Sequence, residues 1–229
     1  MTALSIQRDG EAAAQAAAGL LARLVGEAQS QHDAAHVSLA GGNTPRRAYE
    51  LLGSRLDAPD RVDWWFGDER CVPADDPESN YRLVAESLLP GLPDGARVHR
   101  IEGELPPADA AAAYGAELRR VIGGDVPVLD VAFLGLGEDG HTASLFPGDP
   151  SLDVLDRLAV PVVAVKPPPN RITLTLPVFR AARAVVVLAT GEGKKDAVAR
   201  VLAGPDRATP ASLLGGDSLT LIVDEDAAP

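Results

Sequence analysis

The amino-acid sequence predicts an α/β protein: a Rossmann-like, mostly parallel sheet with helices on both faces, plus a short antiparallel excursion. Strand-like and helix-like segments alternate along the 229 residues, which is typical of a parallel sheet. The run LDVAFLGL at 129–136 is almost entirely apolar, as expected for a strand buried on both faces. Two consecutive strand-like runs, 158–165 and 171–176, predict the antiparallel pair. The hydrophobic share of 46% is sufficient for a substantial core.

The remaining elements follow from local patterns. Leucine and valine recur at helical spacing in 11–29, which predicts a first helix. Pro45 favours the start of a second helix over 45–52, and the polar run GDERCVPADDPESN is predicted to be a long loop. No repeat or linker divides the chain, so we expect a single domain over 1–229. Further strands are predicted at 36–42, 62–66, 97–101, 184–189 and 219–223, and further helices at 80–89, 108–121 and 193–202.

Composition restricts the partners and the compartment. The net charge of −12 and the pI of about 4.7 argue against nucleic acid and anionic membrane as partners. The single cysteine, Cys71, allows no intrachain disulfide, which fits a reducing cytosol. Because the chain has neither a signal-peptide pattern nor a membrane-length apolar run, we expect a cytoplasmic protein. We expect a monomer, although the sequence leaves an oligomer open.

In open parallel sheets, ligands bind beyond the carboxyl ends of the strands. The first loop in such a position is Gly41-Gly42-Asn43-Thr44-Pro45. Its two glycines let the backbone approach a ligand closely, and Thr44 adds a hydroxyl. The loop is therefore a candidate phosphate cradle. A tight turn in which Thr44 caps the following helix is an equally acceptable interpretation.

A second loop begins at Gly67 and contains Asp68, Glu69 and Arg70. Arg70 could offer a bidentate fork to phosphate, with Asp68 and Glu69 orienting its guanidinium. Taken alone, the same cluster is also typical of surface salt bridges.

A third loop, 137–142, follows the most apolar strand and contains His141. Histidine is the usual general base near neutral pH, and Asp139 could hold its imidazole or a water molecule. An isolated histidine is more often structural or exposed. The strand-end position of His141, beside Gly140, favours a catalytic role here, whereas His32, His36 and His99 lack such a setting.

A fourth loop, 190–195, again follows a strand and carries Lys194 and Lys195 at the start of a helix. A lysine there opposes the helix dipole, which is a reason to expect a bound anion between Lys194 and the backbone amides. Two solvated lysines are the alternative. The GxxxxGK[ST] pattern of a nucleotide-binding loop is missing.

The sequence lacks CxxC, HExxH and GxSxG, and His141 has no second histidine nearby. Zinc and covalent-serine hydrolase chemistry therefore lose support. What remains is a single base that acts on water, with no metal and no cofactor.

Four strings resemble the 6-phosphogluconolactonase family in order along the chain: SLAGGNTPRRAYELL, DWWFGDERCVPADDPESNYRL, LDVAFLGLGEDGHTASLFPG and NRITLTLPVFRAARAVVVLATGEGKK. The resemblance implies a carboxylic ester (lactone) hydrolase of carbohydrate metabolism. Its reaction would be metal-independent hydrolysis of 6-phospho-D-glucono-1,5-lactone to 6-phospho-D-gluconate in the pentose phosphate pathway, by His-activated water without a covalent intermediate.

The resemblance also implies roles for individual residues. His141 would be the general base, with Asp139 beside it and Gly140 in the same loop. The loop 41–45 (Gly41, Gly42, Asn43 and Thr44), Asp68, Arg70 and Lys194 would contact the phosphorylated sugar, and Asn80, Arg82 and Arg171 occupy motif positions typical of the pocket. Helix capping is an equally acceptable role for Asn80, and Lys166 could also approach the site.

Two other functions remain as competitors. The related glucosamine-6-phosphate deaminases carry a polar, acidic segment after the DGH motif, whereas this chain continues with Thr-Ala-Ser-Leu-Phe-Pro, which contains no carboxylate. The DER motif also lacks the aromatic residue that is usual in the deaminases. A non-catalytic sugar-phosphate sensor usually carries an attached DNA-binding segment, for which this sequence has no room. The sequence therefore favours the lactonase.

Overall fold

The computed structural model describes residues 2–215 and 218–229, which form ten strands and six α-helices. The strands are β1 Ala3–Gln7, β2 Ala35–Leu39, β3 Val62–Phe66, β4 Asp68–Arg70, β5 Arg97–Val98, β6 Val131–Gly135, β7 Ala159–Val163, β8 Asn170–Leu174, β9 Ala184–Ala189 and β10 Leu219–Asp224. The helices are α1 Gly10–Gln31, α2 Arg46–Leu52, α3 Asn80–Ser87, α4 Pro107–Val121, α5 Leu176–Ala181 and α6 Lys195–Leu202.

Seven strands form a parallel sheet in the order β1-β10-β9-β6-β2-β3-β5. From β2 the chain adds β3 and β5 on one side, and it later adds β6, β9 and β10 on the other. The strand order therefore reverses between β2 and β6, and such a reversal opens a crevice at the carboxyl edge of an α/β sheet. The predicted fold class is confirmed.

The core lies on both faces of this sheet. All five side chains of β3 are buried, and successive side chains of a strand point to opposite faces, so both faces of β3 are covered. Helix α1 begins at Asp9, whose carboxylate accepts the Ala12 N–H at 2.7 Å. Its buried residues recur every three or four positions and are mostly small: Ala13, Ala14, Ala17, Ala18, Leu21, Val25 and Ala28.

A second, antiparallel sheet has the order β4-β8-β7. The pairing of β7 with β8 confirms the antiparallel pair that the sequence predicts. The prediction of one long loop after residue 66 is wrong at its start, because Asp68–Arg70 forms strand β4. The carboxylates of Asp68 and Glu69 are buried and accept hydrogen bonds from Ser144 and Asn80, respectively. Because the buried side chains are charged, the sequence of this strand lacks the apolar alternation that predicts a strand.

Strand β1 and helix α5 are two further elements that the sequence does not predict. Strand β1 pairs with one neighbour only and is largely exposed, with Ile6 52% exposed. Helix α5 is six residues long, and its first residue was assigned to the preceding strand. No helix in the described part of the chain is long and apolar enough to cross a bilayer.

Candidate active site

The four loops selected from the sequence follow β2, β3, β6 and β9, which are adjacent in the sheet in the order β9-β6-β2-β3. Because the strands are parallel, the loops meet at one edge, on both sides of the reversal in strand order. Together with β8 they enclose a cavity of about 340 Å³. Its walls include Gly41, Gly42, Asn43, Thr44, Asp68, Arg70, Asn80, Gly137, His141, Ala143, Arg171 and Lys194.

His141 and Asp139 form a hydrogen-bonded pair, and His141 lines this cavity. Imidazole Nδ1 lies 2.5 Å from Asp139 Oδ1. Burial pushes the pKa of Asp139 upward, but the backbone N–H and imidazole of His141 outweigh it, so the pKa of this carboxyl is lowered overall. An ionised carboxylate only accepts, so Nδ1 carries the proton and Nε2 of a neutral imidazole is left with its lone pair. This is the arrangement that a general base requires.

Gly137 makes this pair possible. A Cβ at this position would lie 2.0 Å from His141 Nδ1 and 2.6 Å from Asp139 Oδ1, so any side chain would displace the pair. The turn is closed by the Gly137 N–H, which donates to His141 O at 2.8 Å, and by the Gly140 N–H, which donates to Gly137 O at 2.9 Å. Gly140 does not line the cavity and its amide is engaged in the turn, so its contact with the substrate stays a prediction that this geometry does not favour.

Arg70 and Arg171 are direct cross-strand partners on β4 and β8. Like charges in opposite positions destabilise a sheet, and here both side chains line the cavity. Burial and the repulsion from Arg70 lower the pKa of Arg171. Arg70 Nε is buried and has no partner among the described residues. Two cations held side by side at a cavity wall form a site that an anion would stabilise.

Arg70 is not oriented by Asp68 and Glu69, contrary to the expectation from sequence. Its Nη1 donates to the carbonyl oxygen of Glu78 instead, and the Glu78 carboxylate lies 3.7 Å from it. Asp68 and Glu69 are committed elsewhere, because each accepts hydrogen bonds from the segment that begins α3.

Asp68 and Asn80 form one wall of the cavity. Asp68 accepts the Ser144 hydroxyl at 2.6 Å and Asn80 Nδ2 at 3.0 Å. With Nδ2 committed to Asp68, Asn80 Oδ1 points to Gly41, where a Cβ would lie 1.8 Å from it. This buried oxygen has no partner in the described structure. The capping role considered for Asn80 is wrong, since Ser79 is the N-cap of α3.

The loop after β2 presents backbone to the cavity. Gly42 has a φ of 87°, a left-handed conformation that favours glycine. Its N–H makes no hydrogen bond to the described part of the chain. Thr44 does not cap α2: Pro45 is the N-cap, and no side chain caps this helix. The Thr-capped turn is therefore wrong, and the loop contributes Gly42, whose N–H is free, to the cavity wall.

The remaining basic candidates divide into two groups. Lys194 lines the cavity at the end of the turn Glu192–Lys194. Arg82 does not: its Nε lies 2.7 Å from Glu86, and its side chain borders an adjoining cavity instead. Residues 80 and 82 are two positions apart on α3 and so face different directions. Lys166 is exposed and outside the cavity wall.

Sequence analysis missed two cavity features in the segment after His141. Ala143 lines the cavity with a φ of 48°, and Ser144 anchors Asp68. Alanine has no preference for the left-handed region, so nothing in the sequence signals this turn. Across 2–215 and 218–229, no three His, Cys, Asp or Glu side chains are grouped as ligands for a metal ion.

Comparisons with known proteins identify the family of this chain. Residues 8–222 match the family model described as "Glucosamine-6-phosphate isomerases/6-phosphogluconolactonase". A 6-phosphogluconolactonase of Streptomyces coelicolor is 40% identical over 98% of this chain and 92% of the relative. The solved 6-phosphogluconolactonase of Trypanosoma brucei superposes with a TM-score of 0.89 at 30% identity, over 99% of this chain and 97% of that one.

Mammalian relatives align over a shorter region. The 6-phosphogluconolactonase of Rattus norvegicus is 47% identical over 152 residues, which are 65% of this chain. The aligned region spans 59% of the rat protein.

Proposed function

Because the chain belongs to the glucosamine-6-phosphate isomerase/6-phosphogluconolactonase family, as its sequence strings indicate, we propose that it hydrolyses 6-phospho-D-glucono-1,5-lactone to 6-phospho-D-gluconate. The observation that carries the proposal is a single cavity lined by His141, which is paired with Asp139, and by Arg70 and Arg171. A base and an anion site in one cavity are what a phosphorylated ester substrate requires.

The anion site orients the substrate. The paired guanidiniums of Arg70 and Arg171, together with Lys194, bind the phosphate, and this contact also relieves the repulsion between the two arginines. Asn80 lines the same cavity and contacts the sugar. Anchoring at the phosphate then leaves the lactone carbonyl next to His141.

The reaction uses a single proton carrier. His141 Nε2 takes a proton from water as the water oxygen attacks C1, and Asp139 stabilises the imidazolium through Nδ1–H. The tetrahedral intermediate collapses, the bond between C1 and the ring oxygen breaks, and His141 returns its proton to that oxygen. No bond to the protein forms in this scheme. General base catalysis supplies roughly 10²- to 10⁴-fold of the acceleration, and positioning supplies more.

The oxyanion that forms at C1 needs a hydrogen-bond donor. The N–H of Gly140 is engaged in the turn at 2.9 Å, so the free N–H of Gly42, a residue of the cavity wall, is the better candidate among the backbone amides. We also infer a cytoplasmic location, because the lone Cys71 fits a reducing compartment.

Two substrates test the proposal. The purified chain is incubated with freshly prepared 6-phospho-D-glucono-1,5-lactone in a pH-stat, and separately with glucosamine 6-phosphate while ammonia is measured. We expect acid release from the lactone well above the spontaneous rate and no ammonia. Ammonia release would assign the chain to deaminase chemistry. Binding without turnover of either compound would indicate a sensor.

A further inference from the structure

Glu69 lies behind the cavity wall and accepts four hydrogen bonds although it is only 2% exposed. Its Oε1 accepts the N–H groups of Arg70 at 2.8 Å and Asn80 at 2.7 Å. Its Oε2 accepts the N–H of Tyr81 at 2.8 Å and the hydroxyl of Ser79 at 3.2 Å. One carboxylate thus ties strand β4 to the first turn of α3.

These bonds join the two parts of the chain that carry the substrate-facing groups on this side. Arg70 and Asn80 both line the cavity. Glu69 itself lines neither this cavity nor the adjoining one. Any effect of Glu69 on the substrate must therefore pass through Arg70 and Asn80.

We propose that Glu69 is a positioning residue whose carboxylate holds Arg70 and Asn80 at the separation that binds the phosphorylated sugar. The proposal rests on the proposed function, since it concerns the affinity of the same cavity. It assigns to the glutamate of the DER motif a role other than orienting the arginine side chain, which Glu78 holds.

The surroundings of Glu69 make the hydrogen bonds to its carboxylate sensitive to pH. Burial raises the pKa of Glu69 to about 7, against the lowering effect of the backbone N–H groups, and the neighbouring Asp68 raises it further. The other titratable groups close enough to interact with it are Cys71 and Tyr114, and Arg70 is bonded to it through the backbone. Glu69 is thus the group in this segment that changes charge near neutral pH.

Protonation has a definite direction of effect. As the pH falls through about 7, Glu69 gains a proton, one oxygen loses accepting capacity, and the hydrogen bonds to Arg70 and Asn80 weaken. The substrate is then bound less tightly, so KM rises toward low pH. Glu69→Gln keeps the size of the side chain but removes its charge, and it imitates the protonated state at every pH.

The experiment compares KM and kcat for the lactone in the wild-type protein and in Glu69→Gln. At about pH 8 we expect a KM roughly tenfold higher in the variant, and a kcat changed much less. At about pH 6 the wild type is mostly protonated at this position, so the ratio of the two KM values should shrink to about twofold. Effects of pH on the substrate phosphate and on His141 are shared by both proteins and cancel in the ratio.

Asp130→Asn is the matched control. Asp130 is also a buried carboxylate, 5% exposed, and accepts the His36 N–H at 2.8 Å and Arg183 Nε at 3.1 Å, next to the amino ends of the strands. We expect this variant to lose thermal stability with no change in KM. If Glu69→Gln does not fold, Ser79→Ala removes one donor to Glu69 Oε2 and should give a smaller rise in KM with the same pH trend.

Two kinetic results would overturn the positioning role: a KM ratio below about twofold at about pH 8, or a ratio that does not change between the two pH values. Affinity for inorganic phosphate, measured by calorimetry on the same proteins, separates this proposal from the proposed function. A wild type that binds phosphate but hydrolyses no lactone refutes the proposed function alone. Equal phosphate affinity in wild type and Glu69→Gln at about pH 8 refutes the positioning role.

Discussion

At the scale of single residues, the chemistry depends on a glycine that carries no functional group. Gly137 lies beneath the imidazole of His141, and the absence of a Cβ lets Asp139 and His141 approach to 2.5 Å. The imidazole of His141 is therefore oriented by Asp139, two positions earlier in the chain, and by the space that Gly137 leaves free. Asn80 and Gly41 repeat this relation elsewhere in the cavity wall, where the missing Cβ leaves room for the amide oxygen.

Gly137→Ala should reduce kcat while the protein stays folded. The added Cβ would lie 2.0 Å from His141 Nδ1 and must push the imidazole away from Asp139. A displacement of about 1 Å at a reacting group costs on the order of 10²-fold in rate. Steady-state kinetics measure the loss. Gly26→Ala on α1, where a Cβ meets nothing within 4 Å, is the control and should keep wild-type kinetics. Wild-type kcat in Gly137→Ala would show that the pairing with Asp139 is not needed.

At the scale of elements, the antiparallel sheet contributes the anion site. Strand β4 follows β3 after one residue and turns out of the parallel sheet to pair with β8. That register sets Arg70 directly opposite Arg171, although the two are far apart in sequence. Repulsion between them costs stability in the free protein, and an anion between them recovers it.

Arg171→Met should separate binding from stability. Methionine keeps an apolar stem of similar length and removes the repulsion with Arg70, so the melting temperature without ligand should be unchanged or higher. KM should rise roughly 10- to 100-fold, the value of a charge-assisted hydrogen bond or two. Thermal melts with and without inorganic phosphate measure both effects, and the phosphate-induced increase should disappear.

The control for this variant is Arg180→Met. Both arginines donate to a backbone carbonyl, Arg171 Nε to Pro168 O at 3.2 Å and Arg180 Nε to Leu213 O at 2.7 Å, but Arg180 lies outside the cavity. Arg180→Met removes the same charge from the protein as Arg171→Met and should leave KM unchanged. A phosphate-induced increase that persists in Arg171→Met would place the anion elsewhere.

At the scale of the whole molecule, the parallel sheet gathers the functional loops at its carboxyl edge and leaves a structural cluster at the amino edge. There His99 lies between Asp63 and Glu117, 2.8 Å from each, and stacks on Trp65 with ring centroids 4.0 Å apart. His36 borders the same cluster, and burial lowers its pKa. The structural interpretation of these two histidines from sequence agrees with these contacts.

The parts of the fold and the site that the sequence predicts are those that depend on residues close together in the chain. The apolar runs of β3, β6 and β9 identify a buried parallel sheet, and the strand-end rule then selects the loops that hold His141, Gly42 and Lys194. The pairing of Arg70 with Arg171 depends on the register of distant strands, which a single sequence does not contain. The motif alone predicts Arg82 as a pocket residue. The direction of its side chain depends on where α3 begins, which the motif does not show.

The general-base role of His141 is the central claim, and one variant tests it directly. In His141→Gln the side chain can still bond to Asp139 but cannot accept a proton from water. We expect kcat for the lactone to fall by roughly 10²- to 10⁴-fold, while the melting temperature and the affinity for inorganic phosphate stay at wild-type values. His32→Gln, at the exposed end of α1, should have wild-type kcat. A kcat near the wild-type value in His141→Gln would contradict the account.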